Sequence, residues 1–268
     1  MPHLPTGAET FHRLHDDFLI LPNVWDAGSA KIVERAGAQA IATSSAAVAW
    51  AHGYADGHDL PIGKLAATVA EIARVTALPI TADAEGGYAD DAKQVGENVA
   101  ALIGAGAVGI NLEDGHDPHE LHLRKIEAAR AAADRAGLNL YINARTDAYL
   151  KQLVPPEQAL EETLRRARAF KGAGASGLFV PFAMKPDDIK AIAQDIDLPL
   201  NIMAWPGVPD AATLKSLGAR RLSAATWMFR AAATALGAAA AEFVRTGDPE
   251  ALAARATERA DFDALMKG

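Results

Sequence analysis

A short pattern recurs five times along this chain and constrains its fold more than any other feature. Each copy is a helical segment rich in alanine and charge, then a glycine, then a short apolar run two or three residues later. Glycine supplies the positive φ needed just past a helix end, and the apolar run is typical of a buried strand. The pattern therefore predicts repeated helix–strand units, whose strands are residues 40–43, 108–112, 139–143, 177–180 and 221–223.

Three further apolar runs complete the set, at residues 18–21, 80–82 and 200–203. Two of them begin just after a proline, which is tolerated at a strand entrance despite its missing N–H. Eight short apolar strands separated by amphipathic helices are typical of a parallel sheet covered by helices. We therefore predict an α/β fold, a (β/α)8 TIM barrel, formed by residues 1–268 as a single domain.

An open, doubly wound sheet is the alternative fold. It is disfavoured because no predicted strand is followed by the Gly-x-Gly-x-x-Gly turn that binds a dinucleotide pyrophosphate. Gly86 and Gly87 do follow a strand, but the acidic residue before them would repel a pyrophosphate.

Residues 224–268 form a C-terminal helical extension beyond the eighth strand. The sequence predicts an alanine-rich helix over 226–245, a break at 247–249 and a last helix over 250–265. This is one helix more than a barrel needs, and its apolar face would stay exposed on a single subunit. We therefore expect a homo-oligomer in which the extension packs on a neighbouring subunit.

The composition excludes several functional classes. The chain has no cysteine, which excludes disulfides, thiolate metal sites and a cysteine nucleophile. Its formal charge is -8 and its basic residues are scattered, so we expect no nucleic-acid partner. No apolar run approaches the roughly 18 residues of a membrane span, and residues 1–17 lack a secretory pattern. These features predict a cytoplasmic protein with a small-molecule substrate and no membrane partner.

Acidic side chains follow two predicted strands that are neighbours in the barrel. Asp83 and Glu85 end the third strand and point the same way, and Glu113 and Asp114 end the fourth. Like charges this close are stable mainly around a cation, and oxygen donors suit Mg²⁺ or Mn²⁺. The sequence therefore predicts a Mg²⁺ site, with Mn²⁺ as a possible occupant. The alternative is that one carboxylate caps a helix and another is solvated.

Two other strand ends carry groups that can bind an anion. Arg145 follows the fifth strand, where it either clamps a ligand carboxylate or forms an internal ion pair with Asp147 or Glu113. Ser44 and Ser45 follow the second strand, where their hydroxyl and backbone N–H groups either hold a carboxylate or cap a helix.

Two polar loops supply candidate acids and bases. Residues 50–60 contain Asp56, and residues 115–122 contain His116 and His119. Histidine suits proton transfer near neutral pH, although an exposed loop histidine often has no role. No lysine follows a strand directly, which argues against a Schiff-base aldolase.

Taken in order, these residues resemble the phosphoenolpyruvate mutase/isocitrate lyase superfamily, and the match covers nearly the whole chain. Each piece is short, but their correct order makes the resemblance specific. The pieces are Leu21-Pro22-Asn23-Val24-Trp25-Asp26-Ala27, Thr43-Ser44-Ser45, Gly53-Tyr54-Ala55-Asp56, Asp83-Ala84-Glu85-Gly86-Gly87-Tyr88, Leu112-Glu113-Asp114, Ile142-Asn143-Ala144-Arg145-Thr146-Asp147 and Asn201-Ile202-Met203.

The resemblance implies a barrel whose last helix is exchanged between subunits of a dimer or tetramer. It also implies a bound Mg²⁺ and a 2-oxo acid substrate held by the metal and by Arg145. The metal would lie near Asp56, Asp83, Glu85 and Glu113. The substrate-binding residues would be Trp25, Ser44, Ser45, Ala46, Asp83, Arg145 and Asn201.

The chain departs from the superfamily pattern after the fourth strand. Isocitrate and methylisocitrate lyases carry a Lys-Lys-Cys-Gly-His loop there, with the cysteine as the acid, whereas this chain has Gly115-His116-Asp117-Pro118-His119. Phosphonopyruvate-converting members continue Glu-Asp with a lysine, which this chain also lacks. The resemblance therefore indicates a divergent member of the superfamily.

The expected activity is that of a Mg²⁺-dependent lyase or decarboxylase. It would cleave a carbon–carbon bond of a 2-oxo acid or related dicarboxylate such as oxaloacetate, through a metal-stabilised enolate. Arg145 and Asp56 are candidate catalytic residues, and His116 or His119 is the expected proton donor, with Asp56 or water as alternatives. The alternative functions are a mutase or hydrolase acting on a carbon–phosphorus bond, and a non-catalytic 2-oxo acid binder.

Overall fold

The strands of the computed structural model, which describes residues 4–256 and 261–267, form one parallel sheet that curls into a barrel. β1 pairs with β9 and β2 pairs with β3, and only Pro22 separates β1 from β2, so the two act as one barrel strand. The predicted eight-stranded TIM barrel is therefore confirmed. The strands are β1 (Leu19–Leu21), β2 (Asn23–Val24), β3 (Ile41–Thr43), β4 (Ile80–Asp83), β5 (Gly109–Glu113), β6 (Tyr141–Arg145), β7 (Gly177–Phe179), β8 (Leu200–Met203) and β9 (Arg221–Ser223).

Helices cover the barrel and end as the glycine pattern predicts. Gly106 follows α5 at a φ of 115°, and a Cβ atom there would lie 2.7 Å from the Cβ of Ala73. No described helix is both long and apolar enough to cross a bilayer. The helices are α1 (Leu4–Arg13), α2 (Ala27–Arg35), α3 (Ser45–Ala51), α4 (Ile62–Val75), α5 (Ala92–Ala105), α6 (His119–Arg135), α7 (Ala159–Gly172), α8 (Pro186–Asp195), α9 (Ala211–Ser216), α10 (Trp227–Thr246), α11 (Pro249–Arg255) and α12 (Phe262–Lys267).

Helix α1, which the sequence pattern did not reveal, contributes a core residue to the barrel. Its Phe11 is fully buried and meets the ring of Tyr141 edge-on, with 5.2 Å between centroids. A Cβ atom on Gly109 would lie only 2.9 Å from the Phe11 ring. The first residue of β5 is therefore a glycine because the Phe11 side chain takes the space beside it.

The C-terminal extension matches the prediction in its first helix but not in its last. Helix α10 lies where a helix was expected, and the chain breaks at Gly247, whose φ is 62°. The single helix predicted over 250–265 is wrong, because helix α11 ends at Arg255 and α12 is a separate helix. Residues 257–260 lie outside the described residues.

Apolar surface is exposed on the extension and on the barrel strand next to it. Helix α10 has no buried residue, and Leu236 and Val244 are 71% and 85% exposed. Ile20, which points outward from β1, is 62% exposed, although the strands of a parallel barrel are normally covered on both faces. This exposed apolar surface supports the expectation of a homo-oligomer, whereas exchange of a helix between subunits stays a prediction.

We expect the protein to sediment as a species larger than the 28.1 kDa chain. Leu236→Glu should shift it toward the monomer, because a charge would be buried where an apolar side chain was covered. Gln194→Glu, which adds the same charge to an exposed position on α8, is the matched control and should change nothing. A stable wild-type species near 28.1 kDa in sedimentation velocity would refute this expectation.

His122 on α6 is buried between helices without a hydrogen bond. Its side chain has no exposed surface, and neither ring nitrogen has a partner among the described residues. The ring meets Phe170 of α7 edge-on at 4.9 Å. Burial, together with the positive charges of Lys125 and Arg166, lowers the pKa of His122 to about 3. The folded protein therefore holds His122 neutral.

We expect His122 to destabilise the protein as the pH falls below its unfolded pKa of 6.5, because only the unfolded chain then takes up the proton. This loss continues toward the folded pKa of about 3. In His122→Leu, the drop in unfolding free energy from pH 7 to pH 5 should shrink by about 2 kcal/mol. Urea denaturation at both pH values measures this drop. His116→Leu, at an exposed position, is the control, and an equal change in both variants would contradict the prediction.

Candidate active site

Asp83 is held in place at the carboxyl end of β4 by its neighbours. Its Oδ2 accepts hydrogen bonds from the backbone N–H and the hydroxyl of Ser45, at 3.1 and 2.9 Å. Its Oδ1 faces the side-chain amide of Asn111 at 3.4 Å, and its backbone N–H donates to the hydroxyl of Thr43 at 2.8 Å. These contacts fix the orientation of the carboxylate before any ligand binds.

The two serines after β3 divide the roles expected of them. The hydroxyl of Ser44 accepts from the backbone N–H of Ala47 at 3.4 Å and so caps α3. Ser45 instead orients Asp83 with both its hydroxyl and its N–H. Ala46 is buried in the first turn of the same helix. Ser44 therefore caps a helix, whereas Ser45 holds the carboxylate of Asp83.

Glu85 ties the loop that carries Asp56 to the end of β4. It accepts hydrogen bonds from the hydroxyl of Tyr88 at 2.8 Å and from the backbone N–H of His58. The Nε2 of His58 in turn accepts from the backbone N–H of Gly86 at 3.0 Å, and burial lowers the pKa of this histidine. The His58 ring is therefore neutral beside Glu85, and it joins this loop to the end of β4.

Backbone strain is concentrated at this end of the barrel. Glu85 has a φ of 47°, in the left-handed region that side chains other than glycine rarely adopt. All such non-glycine residues in the described chain lie on loops that follow strands or their first helices, where barrel enzymes place their chemistry. They are His58, Glu85, Tyr88, Gln152, Phe182 and Ala225.

Arg145 lies between two carboxylates. Its Nη1 is 2.6 Å from Oε2 of Glu113, and its Nε and Nη2 donate to the two oxygens of Asp147 at 2.7 and 3.2 Å. Burial raises the pKa of Glu113, and the adjacent guanidinium counteracts part of that rise. The ammonium of Lys151 lies 3.3 Å from Asp147 and 3.7 Å from Glu113. The sequence left open whether Arg145 forms an internal ion pair. In the structure it pairs with both Glu113 and Asp147.

Two buried contacts that the sequence did not reveal support the site from the surrounding helices. Asp114 accepts from the backbone N–H of Asp147 at 2.8 Å and from Arg166 of α7 at 2.7 Å, and so holds one end of the ion pair. Lys125 of α6 donates to the carbonyl of Gly86 at 2.9 Å, beside Glu85. Arg166 lies 52 positions from Asp114, and Lys125 lies 39 positions from Gly86, so no local spacing could have indicated these contacts.

The contacts described for four of the predicted site residues are with other parts of the barrel and not with the carboxylates. The ring of His119 packs on Phe170 between α6 and α7, with centroids 6.0 Å apart, and His116 is exposed. Trp25 meets the ring of Phe229 at the start of α10, at 5.1 Å. Asn201 is buried in the barrel, where neither atom of its side-chain amide has a partner among the described residues. Their catalytic or binding roles stay predictions, and the packing of His119 does not favour its role.

A polar layer lies below the cluster in the barrel interior. Asn143 donates to the Oδ1 of Asn111 at 2.9 Å, and the fully buried Arg221 donates to the same oxygen at 3.4 Å. Because a guanidinium only donates, the amide of Asn111 must present its oxygen to Arg221 and its nitrogen to Asp83. The barrel interior therefore ensures that Asn111 presents a donor, its amide nitrogen, to the carboxylate of Asp83.

Burial raises the pKa values of three carboxylates at this site, and repulsion between them contributes to the rise. Partial burial and the charge of Asp83 raise the pKa of Asp56. Burial, together with the charges of Asp83 and Asp56, raises the pKa of Glu85 to about 7. Asp83 also contributes to the raised pKa of Glu113. A cation placed among these groups would relieve the repulsion and favour their ionised forms.

The donor set suits a hydrated metal ion. Within residues 4–256 and 261–267, no three His, Asp or Glu side chains are clustered closely enough to hold a metal directly. Mg²⁺ does not require such a cage, because it keeps several waters and binds through one or two carboxylates. Asp83 as a direct ligand, with Asp56, Glu85 and Glu113 acting through water, fits this chemistry. The individual ligands stay predictions.

Comparison with known proteins identifies the family. The family model for phosphoenolpyruvate phosphomutase matches residues 11–244, which is most of the chain. The chain belongs to the phosphoenolpyruvate mutase/isocitrate lyase superfamily. Relatives of this chain include proteins named 2-methylisocitrate lyase and oxaloacetate decarboxylase.

Several members of the superfamily are similar to this chain over most of its length. An uncharacterized protein of Mycobacterium tuberculosis is 33% identical over 217 residues, 80% of this chain and 81% of its own. The 2-methylisocitrate lyase of Escherichia coli is 31% identical over 200 residues, 69% and 65% of the two chains. The oxaloacetate decarboxylase of Paraburkholderia xenovorans is 28% identical over 210 residues, 73% and 66%. A crystal structure from Burkholderia cenocepacia, provisionally described as a phosphonomutase, is 41% identical with a TM-score of 0.83 and covers 87% and 98%.

Asp83→Ala should weaken Mn²⁺ binding by about tenfold or more, because it removes the expected direct ligand. Titration calorimetry, or the electron paramagnetic resonance of free Mn²⁺, measures this affinity without any substrate. Asp90→Ala, at an exposed position in the same loop, is the matched control and should bind as the wild type does. Unchanged affinity in Asp83→Ala would remove the basis for the metal site.

Proposed function

We propose that the protein is a Mg²⁺-dependent lyase or decarboxylase that cleaves a carbon–carbon bond of a 2-oxo acid or related dicarboxylate such as oxaloacetate. The observation that supports it best is the arrangement on three adjacent strands, β4, β5 and β6. The pre-oriented carboxylate of Asp83 ends the first, and the Glu113–Arg145 ion pair joins the other two. The relatives named 2-methylisocitrate lyase and oxaloacetate decarboxylase support the same class of reaction.

The residues of the chain bind and orient the substrate in this proposal. A divalent cation, when bound, supplies positive charge near the carbonyl oxygen, where negative charge collects as the adjacent bond breaks. Ser45 and Asn111 hold the Asp83 carboxylate in one orientation, so little reorganisation is needed on binding. The N–H groups of Arg145 that are not used in its ion pairs donate to a substrate carboxylate.

A proton must reach the carbon left by the broken bond. The chain has no cysteine for this step, and the described contacts of His119 lie between helices. Asp56 is the better-placed donor, because its loop is joined to Glu85 through His58 and its pKa is raised. Water is the alternative donor.

A panel of oxaloacetate, 2-methylisocitrate and phosphonopyruvate, each with Mg²⁺, tests the reaction class. We expect pyruvate from oxaloacetate, or pyruvate and succinate from 2-methylisocitrate, detected by coupled dehydrogenase assay or NMR. Arg145→Lys should lower kcat/KM by about 100-fold, because a point charge cannot reproduce the bidentate contacts of a guanidinium. Full activity in that variant would refute the role given to Arg145.

The same panel separates the alternatives. Release of phosphate from phosphonopyruvate, without carbon–carbon cleavage, would favour a carbon–phosphorus enzyme, which the similarity to the phosphonomutase-like structure supports. Binding without turnover of all three compounds would favour a 2-oxo acid binder.

A further inference from the structure

The cations of the site are not equally available to a ligand. Two nitrogens of Arg145 already donate to Asp147, at 2.7 and 3.2 Å, and a third forms an ion pair with Glu113 at 2.6 Å. Its charge is therefore largely balanced within the protein. A substrate with two carboxylates needs a second positive group, and Lys151 is the other cation that contacts these two carboxylates in the described chain.

The ammonium of Lys151 is near these carboxylates but is not committed to them. Its separations of 3.3 Å from Asp147 and 3.7 Å from Glu113 exceed the roughly 2.7–2.9 Å of a charge-assisted hydrogen bond. It makes no side-chain hydrogen bond within the described residues, and 32% of its side chain is exposed. Its three N–H donors are therefore free to meet a ligand at the mouth of the barrel.

The position of Lys151 is nevertheless defined by the backbone. Its N–H donates to the carbonyl of Asp147 at 2.8 Å, which closes one helical turn after β6 and carries the lysine toward the end of β5. A Cβ atom on Gly115 would lie 3.2 Å from the Nζ of Lys151. The ammonium thus occupies the space that any side chain at position 115 would enter, directly after Glu113 and Asp114.

Gly115 and Lys151 together explain how the site obtains a cation although the loop directly after β5 contains no lysine. Gly115 has a φ of 53°, which only glycine adopts readily, so the position is suited to remain without a side chain. The loop after β6 then supplies the positive charge from the adjacent strand.

We propose that Lys151 is a specificity-determining residue that binds the distal carboxylate of a dicarboxylic substrate. This inference rests on the proposed function and narrows it, because it requires a substrate with a second anionic group. Lys151 takes part in binding and in the choice of substrate, and Arg145 and Asp83 keep their roles at the reacting carbons.

The test compares the binding of two 2-hydroxy acids in the presence of Mg²⁺. Malate and 2-hydroxybutyrate share a carbon skeleton, but only malate carries the distal carboxylate. Titration calorimetry should show that the wild type binds malate more tightly. Lys151→Gln should weaken malate binding by about tenfold or more and leave 2-hydroxybutyrate within about twofold, because one charge-assisted contact is lost. Lys151→Arg should retain most of the preference for malate.

Lys185→Gln, a lysine on the loop after β7, is the matched control and should leave both affinities unchanged. Thermal unfolding of each variant checks that the barrel is intact. Equal weakening of both acids in Lys151→Gln, or no weakening of either, would overturn the role of Lys151 and leave the proposed function standing. If the wild type binds neither acid with Mg²⁺, the inference about Lys151 falls; if it also neither binds nor turns over any of the three panel compounds, the proposed 2-oxo acid site is wrong as well.

Discussion

The rest of the site depends on the guanidinium of Arg145. It joins the ends of β5 and β6 by pairing with Glu113 and Asp147 at the same time. Without it, two carboxylates would face each other in a buried place beside Asp83, at a cost of several kcal/mol. Asp114 and Arg166 hold Asp147 from the helix side, so the ion pair has one geometry. The proposed metal and substrate sites are built on that geometry.

The framework of the barrel could be predicted from local signals. Helix-ending glycines such as Gly106 and the apolar runs after them located five of the eight predicted strands, because both effects act over a few residues. Parallel pairing then places Asp83, Glu113 and Arg145 at one end, since the carboxyl ends of barrel strands share a face. Their relation was therefore predictable before any contact was known.

What could not be predicted depends on distant side chains. The choice between a ligand clamp and an ion pair for Arg145 was left open, because it is decided by distances that spacing does not contain. Arg166 reaches Asp114 across 52 positions, and Lys125 reaches Gly86 across 39. Helix α1 was missed because it precedes the first strand and no helix-ending glycine of the repeat follows it, although its buried Ala8 and Phe11 are three residues apart, as on one face of a helix. Such contacts follow from the packing of helices on the completed barrel.

The left-handed residues at the mouth imply a gradient of rigidity along the barrel axis. Each of these conformations costs on the order of 1–3 kcal/mol, and loops such as those of Glu85 and Gln152 can release it by opening. The opposite end has no non-glycine residue of this kind in the described chain and is filled by Phe11 and Tyr141. Backbone amides should therefore exchange their hydrogens faster at the mouth of the barrel than at the opposite end, because opening of the loops at the mouth relieves strain.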